Sequence, residues 1–293
     1  MADASGQKEI RGIDIDKMAK GFADEESVLK KFVTVTKTSA REIRWYKKTA
    51  GFLDSTDTTA ITASQIANTA ERARPVVVEQ SWTRQTSYVR KYFVESPTIS
   101  IEDLKDSDID ILATNVRDLV RAVQNQVDIR IYNVLTESLS PSDTLTTAST
   151  APWDTVATCD PIKDLLVGLR KIRAQGYDTK GIVLYLNPVE HQNLILYLIS
   201  IKGSSIPSFS SEQLKKQVVM EILGHQVVVS QNATTDYALQ FVPMRAATWK
   251  TFSPLTSVVI DDPGIGKKIR VWEEGECLLT DPKCVHLITN TAA

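Results

Sequence analysis

Between Leu104 and Leu139, apolar residues fall at Ile109, Leu112, Val116, Leu119, Val123, Val127, Ile131 and Val134, covering 25 residues in seven steps, a mean of about 3.6 per step. That is the α-helical period, so the stretch predicts one long amphipathic helix. Ser107 with Asp110 three residues on is placed to cap its start, and Ser100 with Asp103 offers an earlier start. Over residues 107–138, at about 1.5 Å per residue, such a helix is roughly 48 Å long, well beyond an average one.

The flanking patterns are different. Arg41–Lys48 (REIRWYKK) and Pro75–Glu95 (PVVVEQSWTRQTSYVRKYFVE) are rich in β-branched and aromatic residues and predict two strands, separated by the small, polar stretch Asp54–Thr69. A loop of that length inside a compact domain is uncommon and needs a reason to exist. The first fifty residues are polar and charge-rich, with room for one short helix over Asp24–Val35, and predict an arm. After a Ser/Thr/Pro-rich linker, Ser138–Thr150, a helix is predicted over Pro161–Gln175, with Ile162, Leu165, Leu166, Leu169 and Ile172 on one face and Gly176 as its stop. Gly181–Leu186 predicts a buried strand, Asn187-Pro188 opens a helix through Leu198, Gly203–Ser211 a loop, and Gln226–Ser230 a further strand. Glu212–Leu223 fits neither period. Ala238–Thr289 predicts several short β-runs broken by Pro243, Pro254, Pro263-Gly264, Gly275 and Pro282.

Composition narrows the class. The 293 residues are 42% hydrophobic and 24% charged, the make-up of an ordinary folded chain of about two domains. A formal net charge of −2 offers no general electrostatic reason to bind nucleic acid. Three cysteines, Cys159, Cys277 and Cys284, cannot close a disulfide framework and fit a reducing compartment. No run approaches the ~18 apolar residues of a membrane span, and Met1–Ile15 has no apolar core, so the expectation is a soluble, unsecreted chain with no membrane partner.

Candidate chemistry fails on spacing. Pro263-Gly264-Ile265-Gly266-Lys267-Lys268 resembles a phosphate loop, but that motif would place Asp261 at its first glycine and Lys268 at its magnesium-binding hydroxyl, so a hairpin loop is predicted instead. Asp106, Asp108 and Asp110 open like a calcium loop but meet Ile111 and Arg117 where Gly and Glu are required, and they read better as helix-dipole partners. Cys277, Cys284 and His286 have the wrong spacing for structural zinc, and neither Ser211 nor Ser230 sits in a nucleophile elbow. Glu273, Glu274 and Glu276 read as a solvated strand end. The expectation is therefore no catalytic residue, no metal and no cofactor.

Charge, however, is arranged in blocks. From Arg41 to Lys91 nine basic residues outnumber five acids, while Glu95 to Asp110 holds six acids and only Lys105. If the basic loop projects, it can meet the acidic helix start of another copy and give head-to-tail rings.

The run Lys91–Leu135 resembles the major capsid proteins of tailed phages and related viruses, the Hong Kong 97-like fold, in which a strand leads through an acidic E-x-L-x-D turn into a long spine helix. Glu102, Leu104 and Asp106 occupy those positions, and Leu186-Asn187-Pro188 and Leu223-Gly224-His225-Gln226-Val227 are similar to parts of that family's axial domain. The resemblance implies an α+β fold with an N-terminal arm (1–40), an extended β loop with flanking strands (41–99), a peripheral domain with the spine helix (100–159 and 269–293) and an axial α/β domain (160–268). It departs from many relatives in having no glycine-rich step after the spine helix, where Asn133–Ser140 reads NVLTESLS, and no long helical N-terminal extension. The implied function is that of a viral major capsid protein, assembling without catalysis or cofactor into hexamers and pentamers of an icosahedral shell around the genome. Its implied place is the virion, after assembly in the host cytoplasm. Implied partners are further copies of itself, viral genomic DNA bound non-specifically, and portal, scaffolding or decoration proteins. Subunit-contact candidates are Trp82, Arg84, Tyr88, Arg90 and Tyr92, because aromatics and arginines anchor interfaces, and genome-facing candidates are Arg117, Arg121 and Arg130. Two alternatives remain at this point: the shell of an encapsulin-type nanocompartment, and an α/β nucleotide-binding enzyme using Gly264–Lys268.

Overall fold

The computed structural model describes residues 18–20, 22, 28–48, 70–74, 82–100, 102, 111–155, 157–199 and 221–292. In chain order, a 3-10 turn over Leu29–Phe32 leads to β1 (Thr34–Lys37), β2 (Glu42–Lys48), β3 (Trp82–Tyr88), β4 (Arg90–Glu95) and β5 (Ile99–Ser100). The long helix α1 (Ile111–Leu135) follows, then β6 (Leu145–Ala148), α2 (Pro161–Ala174), β7 (Val183–Leu186), α3 (Pro188–Tyr197), β8 (Glu221–Ile222) and β9 (His225–Val229). β10 (Tyr237–Phe241), β11 (Ala247–Asp262), β12 (Gly266–Leu279) and β13 (Val285–Thr289) complete the chain.

Helix α1 is 25 residues, about 37 Å at 1.5 Å per residue. Val116, Val123, Val127 and Ile131 are buried as the period predicts, and Val120, Tyr132 and Leu135 widen the stripe. The expected caps at Ser107, Asp110 and Asp103 lie outside the described residues, as do Ile109, the Asp54–Thr69 loop, most of the N-terminal arm and Gly203–Ser211. α2 starts at Asp160, whose carboxylate accepts from the Lys163 N–H, and stops before Gly176 at φ 81°. α3 starts at Asn187, which accepts from the Val189 N–H and is followed by Pro188.

Two large sheets are built from these elements. The first has the order β1-β11-β12-β4, with β5 also on β12, and α1 lies across it: Val116, Val120 and Val123 pack with Leu255, Ile269 and Val271. The second has the order β6-β13-β10-β7-β9-β8. Its β7, fully buried as Val-Leu-Tyr-Leu, pairs antiparallel with β10 and parallel with β9. One hydrophobic cluster spans both sheets, joining Val127, Ile131 and Leu135 of α1 to Trp249 and Leu279 of the first sheet and to Tyr185, Phe241 and Leu287 of the second. Beneath α2 lies a buried polar row in which the Gln240 amide donates to the Leu165 carbonyl and to Nε2 of His225. A side chain on Gly168 would come within 1.8 Å of Gln240 Oε1 and 2.6 Å of His286 Nδ1, so α2 can sit this close only with glycine there.

Several expectations change. The short β-runs of the last third are two long strands, β11 and β12, paired from Ala247↔Leu279 to Asp262↔Gly266. Pro254, read as a break, sits where the register shifts between Ser253 and Thr256, since proline has no N–H for the ladder. Gly275, also read as a break, lies under the Trp249 ring, where a Cβ would meet ring carbon at 2.5 Å. The expected boundary at 268/269 therefore falls inside a continuous strand: residues 247–268 belong to the helix-bearing sheet, and β13 belongs to the second sheet, beside β10 and β6. The linker Ser138–Thr150 contains strand β6, parallel to β13. Pro263-Gly264-Ile265 is the tip of the β11–β12 hairpin, with Gly264 at φ 81° and the Ile265 N–H donating to the Asp262 carbonyl at 3.0 Å. Among the described residues no helix is long and apolar enough to cross a membrane.

Candidate functional site

β2 and β3 pair along their whole length, from Glu42↔Tyr88 to Lys48↔Trp82, and make a two-stranded ribbon that joins neither large sheet. Alternation sorts its side chains into two faces. Ile43 is buried, and Trp45 packs against the shared core while its indole N–H donates to Ser87 Oγ at 3.1 Å. The other face is open: Tyr46 is 61%, Trp82 52% and Tyr88 67% exposed, with Arg84 directly opposite Tyr46. Among the described residues no further strand pairs with the ribbon, and its three large aromatics form an exposed apolar patch.

Trp82, Arg84 and Tyr88 thus share one exposed face. Tyr46 belongs with them and was missed by the sequence reading, although the alternation in REIRWYKK places it opposite in sense to Trp45. Arg90 and Tyr92 lie off that face. The chain bends at Val89, whose N–H donates to the Arg41 carbonyl at 2.9 Å, and enters β4 in the helix-bearing sheet. There Tyr92 lies 6.4 Å from the Trp249 ring, its phenol pushed up to about 12 by burial and by the charge of Glu276. Arg90 turns onto that same glutamate. Tyr92 is thus half-buried against the molecule's own core, while Arg90 stays more than half exposed with its guanidinium on a buried carboxylate.

Two of the three glutamates of β12, Glu274 and Glu276, hold the ribbon's root, and the burial of all three is the largest departure from expectation. Instead of a solvated strand end, Glu273, Glu274 and Glu276 are 0%, 7% and 1% exposed. Glu273 is bound by Lys30 and by the Gln124 amide of α1 at 2.9 Å. Glu274 takes Arg41 at 3.2 Å and Lys91 at 3.8 Å, from the two ends of the ribbon-bearing segment. Glu276 takes Arg130 Nε of α1 at 2.9 Å and Arg90 Nε at 3.2 Å. The cations come from segments far away in sequence, so no local reading of EEGE could place them. A cleft of about 310 Å³ opens where ribbon and body meet, lined by Thr86, Ser87, Tyr88, Val89, Arg90, Arg130 and Glu276. Its chemistry is that of an ion pair rather than of a nucleophile beside a base.

Part of the basic block is paired within the chain. Arg41, Arg90 and Lys91 are paired with Glu274 and Glu276, and Lys47 with Asp143. On the acidic side Glu95 meets Arg270 at 2.6 Å, while Asp103, Asp106, Asp108 and Asp110 lie outside the described residues. Among the described residues Arg84 has no ion pair. Of the genome-facing candidates, Arg117 and Arg121 are on the exposed side of α1, with the Arg117 guanidinium 5.8 Å from the Phe22 ring. Arg130 is three-quarters buried against Glu276 and is withdrawn from that role.

A second anchor fixes the segment before β1. Asp128 of α1, 1% exposed, accepts the N–H groups of Val28, Leu29 and Lys30 at 2.9, 3.1 and 3.3 Å, capping the 3-10 turn from a different element. Burial pushes its carboxyl up to about 6, against the pull of those three donors and of Lys30. The remaining titratable candidates are interior groups. Burial pushes the Cys277 and Cys284 thiols upward, and it pulls His286 down to about 3, where its Nε2 lies 2.9 Å from Thr147 Oγ1.

No protein-family model and no curated protein sequence matches the chain. Solved structures do. The virus-like particle from Pyrococcus furiosus aligns with a TM-score of 0.58 and 13% identity over 94% of this chain and 98% of the other. The capsid of the cyanophage P-SCSP1u aligns at 0.61 and 11% identity over 100% and 93%, and a chain of Mycobacterium phage Che8 at 0.61 and 14% over 91% and 92%. Near-complete coverage in both directions shows that this chain has the capsid fold, with an α+β arrangement of two-stranded ribbon, long helix and two sheets among the described residues.

Proposed function

We propose that this chain is a viral major capsid protein, which assembles with copies of itself into hexameric and pentameric rings and from them into an icosahedral shell around the genome. One observation carries the reading: an aromatic face, Tyr46, Trp82, Arg84 and Tyr88, stands open on a ribbon whose root is tied to the body, and through Glu276 to the long helix, by ion pairs onto buried glutamates. A locked root gives the arm a defined direction, so a second copy meets a preorganised surface and little ordering entropy is lost on docking. Aromatic and arginine side chains are the residue types that supply interface anchors, and obligate contacts of this kind bury more than about 2,000 Å². The reaction is association, driven by apolar burial.

Genome contact in this reading is non-specific and salt-sensitive, through Arg117 and Arg121 on the open side of α1. The protein's place is the virion, after assembly in the host cytoplasm. Electron microscopy of the purified full-length chain tests the proposal, with closed particles or five- and six-membered rings as the expected result. A chain that stays monomeric at high concentration and binds a labelled nucleotide saturably in the micromolar range overturns it in favour of an enzyme. Nucleic acid rather than protein inside the particles separates a virus from a nanocompartment.

A further inference from the structure

The chain crosses between its two large sheets three times among the described residues, over 136–144, 242–246 and 280–284. Left-handed backbone is concentrated there. Glu137, Ser138 and Leu139 have φ of 49°, 57° and 63°, and Met244 has φ 59°. Non-glycine residues visit this region singly and against a steric penalty, and three in succession form a turn that no local preference supports. It stands where the sequence resemblance led one to expect glycine.

The compensation is visible. The Glu137 carboxylate reaches forward to the next segment, where Oε2 accepts the Ser142 N–H and hydroxyl, both at 2.8 Å. Its Oε1 accepts the N–H groups of Asp143 at 3.1 Å and Thr144 at 2.8 Å. This wraps residues 142–144 around one carboxylate and delivers the chain into β6. Burial opposes the charge, but the four donors outweigh it and hold the carboxyl below its ordinary range. On the upstream side Thr136 closes α1, with its hydroxyl donating to the Tyr132 carbonyl at 2.9 Å. Asp143, inside the wrapped segment, pairs with Lys47 of the ribbon strand β2. One link therefore touches the helix, the second sheet and the ribbon strand β2.

We propose that 136–144 is a strained link that sets the angle between the two sheets, and that Glu137 is the latch holding it in its left-handed form. With the latch closed, α1 and the first sheet meet the second sheet at one angle. With it open, Glu137–Leu139 relax toward right-handed or extended backbone and the sheets re-seat by a small rotation across their shared aliphatic and aromatic core. The Lys47–Asp143 pair makes the arm's direction part of the same motion. The inference concerns the single chain and does not depend on shell assembly.

The test uses the full-length chain kept unassembled at low concentration, with spin labels at Val258→Cys on β11 of the first sheet and Val189→Cys on α3, the helix packed against the second sheet, both exposed positions. The expected result is a narrow distance distribution in the parent. Glu137→Ala should shift or broaden it by about 3 Å or more, and adding Ser138→Gly should restore it, because glycine adopts φ > 0 without the latch. If Glu137→Ala fails to fold, Glu137→Gln, which keeps one acceptor oxygen, supplies the partial opening. Ser138→Gly alone should raise the folding equilibrium constant about two- to fivefold, the relief of left-handed strain less the greater freedom of glycine when unfolded. An unchanged distance distribution in a folded Glu137→Ala or Glu137→Gln protein overturns the proposal, as does a distance change that Ser138→Gly does not rescue.

Discussion

Arg84 and Arg90 are six residues apart on one strand run, and charge reversal at the two should have opposite consequences. Arg84 is exposed on the ribbon's open face opposite Tyr46, so Arg84→Glu should alter chain stability by no more than about 0.5 kcal/mol while removing an interface anchor. Arg90 Nε lies 3.2 Å from Oε2 of Glu276, a side chain only 1% exposed. Arg90→Glu would set a second carboxylate against it. Two unit charges about 4 Å apart interact by about 4 kcal/mol at an effective dielectric of 20. The Arg90 side chain is 57% exposed and Arg130 still engages Glu276, so screening reduces the expected loss to roughly 2–3 kcal/mol. Urea unfolding of the unassembled chain, followed by tryptophan fluorescence, measures the stability, and sedimentation with electron microscopy measures particle yield. Arg84→Glu should unfold like the parent and fail to build particles, whereas Arg90→Glu should unfold at clearly lower urea. Normal particle yield from Arg84→Glu refutes the interface assignment, and an unshifted midpoint for Arg90→Glu refutes the anchor.

Two further outcomes follow from buried groups. Asp128 is held near 6 in the fold against an ordinary 3.8, so its ionisation costs native stability. That contribution is fully present below about pH 3.8 and is lost as pH rises through 6, an effect of about 3 kcal/mol that Asp128→Asn should abolish. The stability difference between parent and variant should therefore move in the parent's favour as pH falls from 7 to 4.5, and a difference in urea midpoints that moves the other way contradicts the assignment. At Gly168, alanine would force its Cβ into the buried Gln240 and His286 side chains, so Gly168→Ala should cost about 1–3 kcal/mol and lower Tm by several degrees; an unchanged thermal transition would show that α2 has room to shift.

Much of the architecture was legible because it is written in local periods. The 3.6 spacing of Val116, Val123, Val127 and Ile131 needs nothing beyond the chain itself to mark a buried helical face, and Asn187-Pro188 and Gly176 act within one turn of where they stand. Trp82, Arg84 and Tyr88 were found by residue type, and the ribbon's pleat then put them on one side. The errors have a common origin. Pro254 and Gly275 read as breaks because isolated residues of those types usually are, yet a bulge absorbs the first and the Trp249 ring covers the second. Arg90 and Tyr92 have the composition of interface anchors, and only the tertiary structure takes them off the ribbon into β4, where Tyr92 meets Trp249 and Arg90 meets Glu276.

What depended on the chain alone was the kind of each element: a long rod, two exposed strands around an extended loop, and an alternating α/β region. Those follow from steric and hydrophobic periodicity over a few residues. What depended on the tertiary structure was the allocation of charge and of strain. Glu273, Glu274 and Glu276 are buried because Lys30, Arg41, Arg90, Lys91, Gln124 and Arg130 reach them from four separate segments, and a carboxylate's environment is a property of space rather than of sequence neighbours. In the same way, Glu137–Leu139 adopt a backbone that none of the three favours, because donors at residues 142–144 and two sheets with fixed ends leave the link no cheaper path.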